Sequence, residues 1–154
     1  MKSYKDLVND CLPHITELFP WDLLEELEQD KNLLLIDINE PREFNRAHIP
    51  GAINVPRGIL ESACEYDYVE TVPELAGGRD REIVVICRSG YRSALAAYTM
   101  QQMGFTRVRS LKTGLRGWND DDNTLVDKYD NKVDPDHADE YFNPPLREEQ
   151  RKPK

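Results

Sequence analysis

Two segments of the chain are apolar almost without a break: LLLIDI over 33–38, interrupted only by Asp37, and EIVVIC over 82–87. Continuous apolar runs of this length predict strands buried on both faces, as in a parallel sheet. Three shorter runs predict further strands: HITEL (14–18), AINVP (52–56, closed by Pro56) and TRVRSL (106–111). Between them the spacing turns helical. SYKDLVNDCL (3–12) places Leu7, Val8, Cys11 and Leu12 near one face and stops at Pro13, and FPWDLLEELEQD (19–30) starts at Pro20 or Trp21 with Leu23, Leu24 and Leu27 in step. EPREFNRAH (40–48) predicts a helical turn opened by Pro41, and 58–65 is compatible with a helix. SGYRSALAAYTMQQMG (89–104) is rich in good helix formers and closes on Gly104, and LRGWND (115–120) predicts a last short helix.

Strands that alternate with helices imply an α/β fold, with a central, mostly parallel five-stranded sheet, right-handed connections and helices on both faces. At 154 residues the chain fits one domain with short extensions. The expected division is a helical N-terminal extension over 1–13, the α/β domain over 14–120, and an acidic, largely extended tail over 121–154. Little apolar periodicity remains in that tail, and only Tyr129, Tyr141 or Phe142 is expected to tie it to the domain.

Charge narrows the function. A formal net charge of −9 excludes nucleic acid or an anionic membrane surface as the main partner, since both require a basic face. Basic residues in mid-chain (Arg79, Arg81, Arg88, Arg92, Arg107, Arg109, Lys112, Arg116) can still build a local positive field for a small anion. MKSYKDLVNDCLPH has no apolar signal-peptide region, so a cytoplasmic location is expected, and the assembly expected is a monomer or weak dimer. The cysteines at 11, 64 and 87 are odd in number and predict thiols rather than a disulfide framework. The 3 histidines are scattered, without metal-ligand spacing, and His48 in AHIPG is expected to brace a turn.

Cys87 stands apart. It ends an apolar strand and is followed at once by a helix, so it occupies the carboxyl end of a strand, where open α/β sheets bind ligands. The free N–H groups of the turn and of the helix start direct a positive field at the sulfur, and Arg88 and Arg92 add full charges; each favours thiolate over thiol. Gly90 lets the backbone curl so that its amides approach an anion. A free cysteine often merely fills a core. A buried strand end, however, has no use for two arginines and a glycine.

CRSGYRSA (87–94) resembles the active-site loop of the rhodanese homology domain, in the form C-x-x-G-x-R-S. LLLIDINEPREFNRAHIPGAINVP (33–56) is similar to that family's strand, D-x-R-E-P-x-E-F and G-H-I-P-G-A-x-N-x-P signature, and VRSLKTGLRGW (108–118) to its closing strand and G-G-x-x-x-W segment. The three motifs lie in the family's order across roughly residues 14–120. The resemblance implies a rhodanese-like fold and a sulfurtransferase. Cys87 would take sulfane sulfur from thiosulfate or a persulfide. The amides of Arg88, Ser89, Gly90, Tyr91 and Arg92 would hold the terminal sulfur. Cyanide, a small thiol or a partner protein's cysteine would then accept it, with no metal or organic cofactor. Asp37 matches the family's acidic strand-end residue, expected to pair with Arg88 or Arg92 and so support the loop, since a carboxylate in an apolar strand is costly unless paired.

Three positions depart from the family pattern: Asn39 replaces the usual Arg, Ala47 a frequent Gly, and Thr113 the first Gly of the closing pair. Two other readings are carried forward. One is a persulfide carrier or docking module with little turnover of its own, served by the N-terminal helix and the acidic tail. The other is a phosphatase or arsenate reductase of the same fold, whose loop is one residue longer than the four residues separating Cys87 from Arg92. Cys64 would be a resolving thiol only if it reached the site; Cys64 and Cys11 are both expected to be bystanders.

Overall fold

The computed structural model describes residues 1–29 and 32–154. Five strands form the sheet: β1 (Thr16–Leu18), β2 (Leu34–Asp37), β3 (Ile53–Asn54), β4 (Ile83–Ile86) and β5 (Val108–Leu111). Their order is β1-β5-β4-β2-β3 and every pairing is parallel. Each expected strand is present, trimmed at its ends. The helices are α1 (Tyr4–Cys11), α2 (Pro20–Glu28), α3 (Pro41–Arg46), α4 (Leu60–Ala63), α5 (Pro73–Ala76), α6 (Tyr91–Gln102), α7 (Gly114–Asp120) and α8 (Pro135–Phe142). The end expected for α2, at Asp30, lies outside the described residues.

The two unbroken apolar runs are the two central strands, and alternation sends their side chains to two separate cores. Leu34, Ile36, Ile83 and Val85 meet Ala96, Ala97 and Met100 of α6 on one face. Leu35, Val84 and Ile86 meet Leu23 of α2, Leu115 and Trp118 of α7, and Phe142 of α8 on the other. The connection leaving β2 runs to β3 on one side, whereas that leaving β4 runs to β5 on the other. Such a reversal opens a crevice beyond the carboxyl ends of the two strands. Asp37 and Cys87 stand at the carboxyl ends of these two strands, with Asp37 in register with Ile86, one residue before Cys87.

Two expectations need correction. The stretch beyond 120 is not largely extended. Val126 bridges both His48 and Lys132, Leu125 is buried, and α8 lays Ala138 and Phe142 into the second core. The start of α8 is written in the chain, with Pro135 at its first turn and Asp134 accepting the His137 N–H. Its apolar residues are few, but Ala138 and Phe142 are spaced i, i+4 and both are used. In α1 the expected apolar face is half spent, with Val8 and Cys11 buried and Leu7 and Leu12 left exposed.

Candidate active site

The loop after β4 wraps around the Cys87 sulfur, which is buried. Sγ accepts the N–H of Gly90 at 3.1 Å and of Ser93 at 3.3 Å. As a thiol it donates to Ser93 Oγ at 3.4 Å, and that hydroxyl lies 2.7 Å from Ser110 Oγ on β5. The N–H groups of Arg88, Ser89, Tyr91 and Arg92 have no acceptor among the described residues. The curl depends on Gly90, at φ +90°; a Cβ there would press on Thr113 N at 3.1 Å and Leu111 O at 3.2 Å.

A second turn locks the first. Leu115 N–H donates to Cys87 O at 2.9 Å and Arg116 N–H to Arg88 O at 3.0 Å. Gly114 has to be glycine on two counts: its φ is +61°, and a Cβ would lie 2.6 Å from the Arg88 carbonyl carbon. Thr113 just before it is also left-handed, at φ 66°, which accounts for the family's glycine there. Its side chain fits because Gly117 opposite has no Cβ.

The expected ion pair between Asp37 and a loop arginine is absent. Arg92 instead reaches α3, with Nη2 donating to Glu43 Oε2 at 3.1 Å and to Asn39 Oδ1 at 2.9 Å. Asn39, the departure from the family's Arg, thus acts as an acceptor for the loop. Asp37 Oδ1 accepts the Asn39 N–H at 2.9 Å, and Oδ2 is buried without a partner. Burial pushes the Asp37 carboxyl up to about 7, outweighing the pull of the Asn39 hydrogen bond. Burial disfavours the charged form, and among the described residues no arginine lies within ion-pair distance to offset that. The Asp37 Oδ1 closes the 37–39 turn.

The mid-chain cations do not all converge. Arg109 is tied to Glu26 at 2.8 Å, Arg107 to Glu82 at 3.8 Å, and Arg79 to backbone carbonyls including Cys64 O at 2.6 Å. Arg88, Arg92 and Arg116 remain around the mouth, a cavity of about 530 Å³. Tyr4 of α1 closes one side of it, edge-on to Tyr91 with ring centroids 5.5 Å apart. Burial, and secondly the charge at Cys87, raises the Tyr4 hydroxyl above its ordinary range.

Cys87 and residues 88–92 lie together around the sulfur, and Asp37 stands at the end of the neighbouring strand. Sequence reasoning missed Asn39 and Glu43 as anchors of Arg92, Ser93 and Ser110 beneath the sulfur, and Tyr4 above it. Ser93, Glu43 and Ser110 had a signal as members of CRSGYRS, EPREF and VRSL, and Asn39 as a departure from the family pattern; Tyr4 had none. Cys64 is buried and its thiol is pushed up to about 11 by burial, so it is no ready nucleophile, and Cys11 is likewise buried. His48 braces its turn, with Nδ1 2.7 Å from Phe44 O. Among the described residues no group of three His, Cys, Asp or Glu is placed to hold a metal.

Comparison with known proteins agrees with this geometry. The Bacillus subtilis (strain 168) protein YrkF, whose name describes a candidate sulfur carrier, is 35% identical over 94 residues, 61% of this chain and 45% of its own length. A protein of Allochromatium vinosum named sulfurtransferase is 30% identical over 104 residues, 68% of this chain and 88% of its own. Among solved structures, a protein of unknown function from Rhodopseudomonas palustris CGA009, for which tyrosine phosphatase activity is suggested, superposes with a TM-score of 0.73. It is 28% identical and the match covers 80% of this chain and 93% of that one. The family model for the rhodanese-like domain matches residues 20–121, the span that carries β2 to β5 and the cysteine loop, and the chain belongs to that family.

Proposed function

We propose that the chain is a sulfurtransferase that moves sulfane sulfur from thiosulfate or a persulfide, through a Cys87 persulfide, to cyanide, a thiol or a partner protein's cysteine. The Cys87 thiolate attacks the outer sulfur of thiosulfate, and the S–S bond breaks with its electron pair leaving on sulfite. Cys87 is left as a persulfide, whose terminal sulfur the acceptor then removes. The observation that carries this reading is the set of loop amides. Two already donate to Sγ, and four more, at Arg88, Ser89, Tyr91 and Arg92, have no acceptor among the described residues and are available to an anionic outer sulfur.

Loop length weighs against phosphate chemistry despite the relative for which a phosphatase is suggested. Phosphate needs a wider cradle, and only four residues separate Cys87 from Arg92. A carrier role is the second reading, favoured by the name of the Bacillus subtilis relative. No helix among the described residues is long and apolar enough to cross a membrane. Three buried thiols suit a reducing compartment, and the cytoplasm is the proposed location.

Intact mass after exposure to thiosulfate or polysulfide tests the proposal. One added sulfur on Cys87, lost in Cys87→Ser, is expected. Thiosulfate:cyanide activity that survives Cys87→Ser would overturn it. Adduct formation with little turnover would favour the carrier, and hydrolysis of p-nitrophenyl phosphate without an adduct the phosphatase.

A further inference from the structure

A second cavity, of about 280 Å³, adjoins the cysteine loop through Arg88 and is walled by α3 and α8. Glu140, Tyr141, Phe142 and Pro144 of its lining lie beyond residues 20–121, so the C-terminal segment, rather than the shared family core, creates it. Its charges are unusual for a chain of net charge −9. The side chains of Arg42 and Arg88 make no hydrogen bond or ion pair among the described residues, and the Arg88 Nε is buried without an acceptor. Among the described residues the Arg46 side chain makes no hydrogen bond or ion pair and is steadied by the Tyr141 ring, 5.5 Å from its guanidinium carbon, which leaves its N–H fork free. Of the two lining carboxylates, Glu43 is already engaged by Arg92. Three guanidiniums therefore face one unengaged carboxylate, Glu140. Leu115, Phe142 and Pro144 supply the apolar part of the wall.

Guanidinium forks match carboxylates in geometry, and apolar walls take a carbon skeleton. Bare thiosulfate needs neither. Building on the sulfurtransferase reading, we infer that this cavity holds the carboxylate-bearing part of a low-molecular-weight organic persulfide, the sulfur donor, while Arg88 spans from it to the cysteine loop. The Cys87 thiolate attacks the outer sulfur of R–S–SH. The S–S bond breaks, R–S⁻ leaves with the electron pair, and Cys87–S–SH keeps the proton, with no external oxidant or reductant.

Two measurements on the full chain test this. In Cys87→Ser, calorimetric titration with S-methylglutathione, which has carboxylates but no transferable sulfur, should show saturable binding that Arg42→Ala/Arg46→Ala weakens about tenfold or more. In the chain with Cys87 intact, the same double substitution should raise KM for glutathione persulfide about tenfold more than for cysteamine persulfide, which lacks a carboxylate. Circular dichroism of the double variant controls for folding, with single substitutions as the fallback. No saturable binding, or equal KM changes for the two donors, would overturn the assignment. Should Cys87 take sulfur from no donor while S-methylglutathione still binds through Arg42 and Arg46, the cavity assignment stands and the transferase reading falls.

Discussion

Arg92, one of the two arginines expected to serve as partner to Asp37, is held by Glu43, with Nη2 3.1 Å from Oε2. The contact ties the start of α6, and with it the cysteine loop, to α3 across the crevice at the strand ends. Both side chains are partly exposed, so the pair contributes at most about 1 kcal/mol to stability, and its role is placement. Glu43→Gln should leave the unfolding free energy within about 1 kcal/mol while slowing Cys87 sulfur loading about tenfold, because misplaced reactive groups are penalised steeply. Stopped-flow loading with thiosulfate, beside urea unfolding, measures both. An unchanged loading rate would remove Glu43 from the positioning role.

Asp37 sets a pH dependence. Its carboxyl is raised to about 7 in the fold, from about 3.8 in an exposed carboxylate. The native state therefore binds the proton more tightly, and Asp37's contribution to stability is fully present below pH 4 and lost as pH rises through about 7. Asp37→Asn mimics the neutral form and should remove this loss. The variant should gain in melting temperature on the wild type at pH 8 relative to pH 5; a gain that is the same at both values would refute the assignment.

Thr113 adopts φ 66°, a conformation that costs a residue with a Cβ about 1 kcal/mol or more. Thr113→Gly should stabilise the chain by about 0.5–1 kcal/mol, since glycine also gains freedom when unfolded. Chemical denaturation with an unchanged m-value is the check. A loss of stability would mean that the threonine side chain contributes more than its backbone costs.

The Ser93 hydroxyl joins Cys87 Sγ to Ser110, and all three residues are buried. Ser93→Ala strands the Ser110 hydroxyl and should cost about 1–3 kcal/mol. Removing Ser110 as well, in Ser93→Ala/Ser110→Ala, should recover part of that cost. Additive losses in the double-mutant cycle would show that the two hydroxyls are not coupled.

Tyr4 stands edge-on to Tyr91 at one wall of the mouth. Tyr4→Ala should speed alkylation of Cys87 by iodoacetamide, whereas Tyr4→Phe, which keeps the ring, should not. Equal rates in all three proteins would show that the ring does not screen the sulfur.

The chain by itself determined the α/β class, the five strands and the cysteine loop. Each rests on local pattern: two unbroken apolar runs make central strands, and CRSGYRS turns on one left-handed glycine between strand and helix. The three motifs in order also fixed the family before any side chain was placed. What only the tertiary structure decided depends on partners distant in sequence. Arg92 chooses Glu43 and Asn39 because α3 descends beside the loop, a proximity created by the reversal between β2 and β4. Asp37 is left without an ion-pair partner because Arg92 is taken by Glu43 and Asn39. Residues 121–154 read as an acidic tail because their polar majority hides Leu125, Ala138 and Phe142; only tertiary packing shows these closing the second core, with Val126 bridging His48 and Phe142 walling the arginine cavity.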